Sequence, residues 1–170
     1  METYDLQKTV QKYTANTLTE NNYQPLTQYY NVAGPDYEIW SRDFNMHFGY
    51  CKSFTDIFSL EKMLVNMSDE VLQHLQIDVR KPASVADLGC GVGTVARYAA
   101  RKFPQAKITG ITIIDYQIEK GNSFICKEGL QKNISLVKDN FENLQFAEET
   151  FTHLYALESA CHANGADKEL

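Results

Sequence analysis

At 170 residues, with 44% hydrophobic and 12% aromatic residues, the chain holds enough apolar material for one compact domain with a buried core, which excludes a disordered or low-complexity segment. Its formal net charge of -6 excludes a surface built to track phosphates, since such surfaces cluster Lys and Arg to displace counterions; DNA, RNA and anionic membranes are not expected partners. No window approaches the roughly 18 apolar residues of an integral membrane segment. Residues 1–10 are polar and charged, without the apolar stretch of an export signal, so a soluble, cytoplasmic protein is expected.

Seven of the ten tyrosines and the only tryptophan, Trp40, fall within the first fifty residues. Between 59 and 75, Leu60, Met63, Leu64, Met67, Val71, Leu72 and Leu75 recur at spacings of three and four, the stripe of an amphipathic helix that packs on the domain. Lys81 and Pro82 close that pattern, and an extended run over 83–88 stops abruptly at glycine. Residues 93–102 predict a helix with Val95, Ala96, Ala99 and Ala100 inward, and 106–114 a second strand. A helix over 116–128 ends at Gly129 in the C-cap region. Strands follow over 133–138 and 151–157, the latter preceded by the polar turn Glu148, Glu149, Thr150. Strands alternating with helices of this length require a parallel sheet with helices on its faces. The four cysteines, Cys51, Cys90, Cys126 and Cys161, lie far apart with no C-x-x-C pair, so no metal site or redox centre is expected and reduced thiols are.

The most informative stretch is Asp87, Leu88, Gly89, Cys90, Gly91, Val92, Gly93. A strand that ends in glycines and runs into a helix brings bare backbone against a ligand at the carboxyl edge of the sheet. A dinucleotide fingerprint would need a glycine three places after Gly91, and Thr94 stands there. The acid followed by alternating glycines instead resembles the first motif of the Rossmann-like, class I S-adenosylmethionine-dependent methyltransferases. That resemblance implies an α/β fold, a Rossmann-like parallel sheet with helices on both faces, S-adenosylmethionine as cofactor, and a cradle of Asp87, Gly89, Cys90, Gly91 and Gly93. In that family an acid at the end of the second strand usually holds the ribose hydroxyls. Counted from Gly110 that place is Thr112, which matches a subgroup reading Gly110, Ile111, Thr112, Ile113 and, downstream, Gln117. The resemblance then gives the ribose to Gln117 and backbone near Ile113, with Asp115 as second choice or, on its own reading, a helix N-cap. After the third strand it gives the adenine to Asp139 or Asn140, followed by Phe141. Asn140 is preferred, because it presents both a donor and an acceptor.

Two further stretches narrow the family. Tyr29, Tyr30, Asp36, Tyr37, Glu38, Trp40 and Phe44, leading into His47, Phe48, Gly49 and Tyr50, resemble the aromatic N-terminal region of the sterol and isoprenoid C-methyltransferases. Glu158, Ser159, Ala160, Cys161, His162 and Ala163 resemble a segment of the same group, so the resemblance spans residues 29–163 in order. It implies methyl transfer to a small hydrophobic acceptor. Positive charge arising on an alkene is stabilised by aromatic faces in a site kept from water, a role open to Tyr30, Tyr37, Trp40 and Phe44. Aromatic residues near an N-terminus more often form a lid or core cover than a cation cage, and the same residues also read that way. A base must then take a proton; Glu158 is the first choice and His162 the second. His47 reads as structural and Glu38 as a solvated helix charge.

Rival readings are an O- or N-methyltransferase of a small metabolite, a cyclopropane-forming lipid enzyme, and a non-enzymatic binding module. Residues 1–78 read as a helical cap on the substrate side and 79–170 as the cofactor-binding region. Enzymes of this resemblance carry seven strands and only four are legible here, so the region reads as truncated after the fourth. An uncovered sheet edge would then favour a homo-oligomer or poor solubility.

Overall fold

The computed structural model describes residues 24–34 and 37–163, without the side chains of Gln24, Pro25, Asn31, Glu38 and Trp40. Asp36 and the side chains of Glu38 and Trp40, singled out above, therefore lie outside the described residues.

Two helices, α1 (Gln24–Ala33) and α2 (Tyr37–Trp40), and a 3-10 turn, Phe54–Phe58, precede the helix α3 (Leu60–His74). The apolar stripe sets the inward face of α3, where Leu64, Ser68 and Leu72 are buried. Ser59 starts the helix by accepting the Lys62 N–H on its side-chain oxygen. The remainder alternates as the spacing predicts: β1 (Ala83–Leu88), α4 (Thr94–Lys102), β2 (Ala106–Thr112), α5 (Asp115–Lys127), β3 (Ile134–Lys138) and β4 (His153–Tyr155).

The strands form one parallel sheet in the order β3-β2-β1-β4, with Val85 opposite both Ile108 and His153. Its core gathers Leu72 of α3, Ala96 of α4, Ile125 of α5, and Val85, Ile108, Ile134 and Tyr155 of the strands. The chain steps outward from β1 to β2 to β3, then returns to the other side of β1. In such a sheet the crevice for a ligand opens beyond the carboxyl ends of the strands flanking that reversal, here β1 and β4.

Three boundaries differ from the sequence reading, each for a local reason. Strand β2 stops at Thr112 because Ile114 takes the N-cap position of α5, its N–H donating to the Thr112 hydroxyl at 3.2 Å. Asp115 is therefore the first helical residue, not the N-cap, and it pairs with Lys138 at 2.6 Å on the exposed surface. Strand β4 is shorter than 151–157. Thr152 anchors its start through a backbone bond to the Ser84 carbonyl, and past Tyr155 the chain turns away through Glu158, which has a φ of 56°.

Candidate functional site at the carboxyl edge of the sheet

The glycine turn joins β1 to α4. Gly89, Gly91 and Gly93 all have positive φ, at 74°, 57° and 73°, conformations in which an L side chain would strain the chain. The turn is tied to β2 by the Gly89 and Cys90 N–H groups, which share the Ile111 carbonyl at 2.9 Å. A Cβ on Gly91 would come within 3.0 Å of the Met46 sulfur, so glycine there also leaves room for whatever approaches the turn. Gly93, expected in the cradle, instead caps α4 and faces Leu136, outside the cleft lining.

Around the turn opens a cleft enclosing about 880 Å³ of space including its open mouth. Asp87, Gly89, Cys90, Gly91, Thr112, Ile113, Gln117, Asn140 and Phe141 all line it, which brings together residues from three separate strand-to-helix segments. Asp87 is 3% exposed, and one of its carboxylate oxygens has no hydrogen-bond partner among the described residues. Burial pushes its pKa up to about 7, an effect partly offset by the neighbouring Tyr155 hydroxyl, which itself makes no well-formed hydrogen bond. An orphaned carboxylate oxygen at the floor of a cleft is the group a cationic ligand would satisfy.

The second wall carries the residues between which the sequence left a choice. The Thr112 hydroxyl donates to Gln117 Oε1 at 2.6 Å in a buried pair, and this fixes the Gln117 amide with its nitrogen 3.9 Å from the Met46 sulfur at the cleft lining. Thr112 thus orients Gln117. Asp115, the second choice for the ribose, is exposed and outside the cleft lining. Asp139 is occupied by the backbone N–H groups of Asn140 and Gln145 and does not line the cleft. Asn140 does, with its Oδ1 engaged by the Glu142 N–H and its amide donors remaining for a ligand edge.

Opposite the glycine turn stand Tyr30 of α1, the segment Phe44, Met46 and His47, and the loop after β4 with Glu158, Ser159 and His162. The Tyr30 hydroxyl lies 3.2 Å from His162 Nε2. Burial, chiefly, pushes the Tyr30 phenol up to about 12 and lowers the His162 imidazole, so both are neutral near pH 7. Glu158 Oε1 accepts the Phe48 N–H at 2.8 Å. Phe44 is 2% exposed, its ring against Phe124 and beneath the Lys120 ammonium, so it is core cover more than a free aromatic face. Tyr37 does not line the cleft. His47 lines the cleft and is buried, with one ring nitrogen at the Phe48 carbonyl and the other at Ser68 Oγ. Met46 and Ser159 escaped the sequence reading as lining residues. Ser159 donates to the Leu88 carbonyl and packs against Gly89, and only its place beside Glu158 hinted at this.

Fold and cleft define a Rossmann-like α/β domain with a cofactor cradle at the end of its first strand. A family model described as methyltransferase domain matches residues 85–170, half of the chain, and the chain belongs to that family. It resembles the sterol C-methyltransferase subgroup. It is 35% identical over 146 residues to a sterol 24-C-methyltransferase of Gibberella zeae, covering 84% of this chain and 36% of that protein. With one of Eremothecium gossypii it shares 36% over 138 residues, 79% of this chain and 34% of the relative. The chain thus spans about a third of the length of the curated relatives it matches. Among solved structures, the cyclase SpnF superposes with a TM-score of 0.75 at 21% identity, over 89% of this chain and 54% of that one, which shows the fold alone.

The residues present fit S-adenosylmethionine. Asp87 offers a carboxyl oxygen without a partner among the described residues, which a cationic ligand would ionise and satisfy; the glycine turn offers backbone free of side chains, and the Gln117 and Asn140 amides line one wall.

Proposed function

We propose that this chain holds the S-adenosylmethionine site of a methyltransferase acting on carbon of a small hydrophobic acceptor of the sterol or isoprenoid class. One observation carries the cofactor assignment: the buried Asp87 carboxylate, with an oxygen lacking any partner among the described residues, lies directly before the left-handed glycine turn on the floor of the cleft. When bound, the cofactor supplies a methyl group on a positively charged sulfur. Asp87 neutralises ligand charge, Gln117 reaches the ribose from a rotamer set by Thr112, and Asn140 with Phe141 takes the adenine edge and face.

The acceptor class rests on the two sterol 24-C-methyltransferase relatives, which match most of this chain, and on the ordered aromatic segment before β1. Methyl transfer to an alkene carbon leaves positive charge on the acceptor and then requires proton removal. Tyr30 borders the cleft as a neutral ring that shields this charge from water, and its hydroxyl holds His162. The neutral His162 imidazole is the group placed to accept the proton. Residues 1–78 serve as the acceptor-side cap, with Tyr37 and Trp40 in that region. The four cysteines, all free, suit the reducing environment of the cytoplasm. No helix among the described residues is long and apolar enough to cross a membrane.

Incubation of the full chain with methyl-labelled cofactor and either a sterol alkene or small hydroxy and amino compounds tests this reading. Label on a sterol carbon supports it. Label confined to oxygen or nitrogen contradicts the acceptor class while leaving the cofactor site intact.

A further inference from the structure

The cleft is bounded by two stretches distant in sequence, and two hydrogen bonds cross its mouth between them. Tyr30 on α1 meets His162, and the Phe48 N–H meets Glu158. The segment so tied down carries Met46, whose sulfur stands over Gly91 and 3.9 Å from Gln117 Nε2, together with His47, which lines the same cleft. Its other end is fastened to α4. The Thr94 hydroxyl is shared between the Asp43 and Phe44 carbonyls at 2.7 and 3.0 Å, and Arg97 Nη2 donates to the Asp43 carbonyl at 2.8 Å. Between the two fastenings the chain passes through Phe44 at a φ of 59°, and it meets a partner, Glu158, that also lies in the left-handed region at 56°. Neither residue is a glycine, so the surrounding contacts hold both in place.

From this arrangement we infer that Glu158 is a positioning residue: its carboxylate latches the Phe44–Phe48 segment over the glycine turn, and the proton is not its business. Glu158 Oε1 already takes a backbone amide as its donor, and the side chain is exposed at the rim of the cleft. The latch closes the open wall of the cofactor cradle, so its consequence is slower cofactor release; in that respect it rests on the cofactor reading above. A glutamine at this position keeps an acceptor oxygen for Phe48 and abolishes proton acceptance, whereas alanine removes both.

The test compares the full chain with Glu158→Gln and Glu158→Ala. Hydrogen exchange at the Phe48 amide is read without ligand, cofactor affinity and release rate by titration and stopped flow, and turnover wherever an acceptor is turned over. The latch predicts that Glu158→Ala loses protection at Phe48 and weakens cofactor binding about tenfold through faster release, the scale of one lost hydrogen bond to a charged group. It predicts that Glu158→Gln stays close to the parent in all three readouts. Equal loss of turnover in both variants, with Phe48 exchange and cofactor affinity unchanged, would make Glu158 the proton acceptor and overturn the inference. So would an alanine variant identical to the parent at the Phe48 amide. A parent chain that binds no cofactor contradicts the cofactor reading instead, and the exchange at Phe48 still decides the latch.

Discussion

The two walls of the cleft are built in opposite ways. The cofactor wall, from Asp87 through the glycine turn to Thr112 and Gln117, consists of strand ends and helix starts. Its internal bonds link near neighbours in the chain or in the sheet, such as Thr112 to Gln117 and Gly89 to Ile111. The facing wall, Tyr30 and Phe44–His47, has no regular structure past α2. Besides shorter-range bonds such as Asn45 to Ser41 and His47 to Ser68, it is held by contacts spanning 50 to 132 residues, Thr94 to Phe44 and Tyr30 to His162 among them. The first wall is rigid by local construction. The second is rigid only while its long-range fastenings hold, which is the property expected of a segment that must let a ligand in and out.

The largest expected effect comes from cutting the facing wall loose at its anchored end. Arg97 is 2% exposed, pairs with Glu128, stacks on Phe124 and holds the Asp43 carbonyl. Arg97→Met should lower stability by about 3 kcal/mol, the lower end for a broken buried pair because Glu128 stays partly in water. Urea denaturation measures it, and a loss below about 0.5 kcal/mol would deny the anchor.

Next is the cofactor wall itself. Thr112→Val strands Gln117 Oε1 and the Ile114 N–H, both buried, at about 1–3 kcal/mol. Because Gln117 then loses its fixed amide, cofactor affinity should also fall about tenfold, the scale of one hydrogen bond. An unchanged affinity, measured by titration, would remove Gln117 from the ribose contact.

Asp87 makes the same wall sensitive to pH. Its pKa in the folded chain, about 7, lies above the ordinary 3.8, so the folded state keeps a proton that the unfolded chain gives up between those values. Stability without ligand therefore falls as pH rises through that window. A bound cation favours the ionised carboxylate, so binding near pH 6 should release about one proton, and affinity should rise with pH and level off above about 7. Calorimetry in two buffers of different ionisation enthalpy counts the proton; identical heats would show that Asp87 does not change charge. The smallest effect belongs outside the cleft. Asp115→Asn loses only an exposed pair with Lys138 and should shift stability by under about 0.5 kcal/mol with cofactor affinity unchanged, as a melting curve and titration would register.

The same contrast explains what could be read from the residues alone. Asp87 and the alternating glycines announce themselves because a left-handed turn after a strand tolerates little else, and α3 is visible because its apolar stripe follows the helical period. The replacement of an acid by Thr112 was legible too, though its role in orienting Gln117 needed the distance between them. Met46 over Gly91 left no local signal, since a methionine in a loop has no period and no spacing to betray it. Glu158 was visible as a residue type and read as a base. Its hydrogen bond to Phe48, 110 residues away, depends on a tertiary contact that no short pattern encodes. Phe44 was legible as an aromatic ring that could serve as an aromatic face or as core cover, but composition does not reveal the Phe124 ring packed against it.

The central claim is that the cleft behind Asp87 and the glycine turn binds S-adenosylmethionine. Isothermal titration of the full chain with the cofactor and its demethylated product, beside Gly91→Arg, tests it directly. The account predicts saturable heat for both ligands with the parent chain and none with Gly91→Arg, whose side chain would start 3.0 Å from the Met46 sulfur and fill the cradle. No heat from the folded parent, or equal binding by Gly91→Arg, would contradict it.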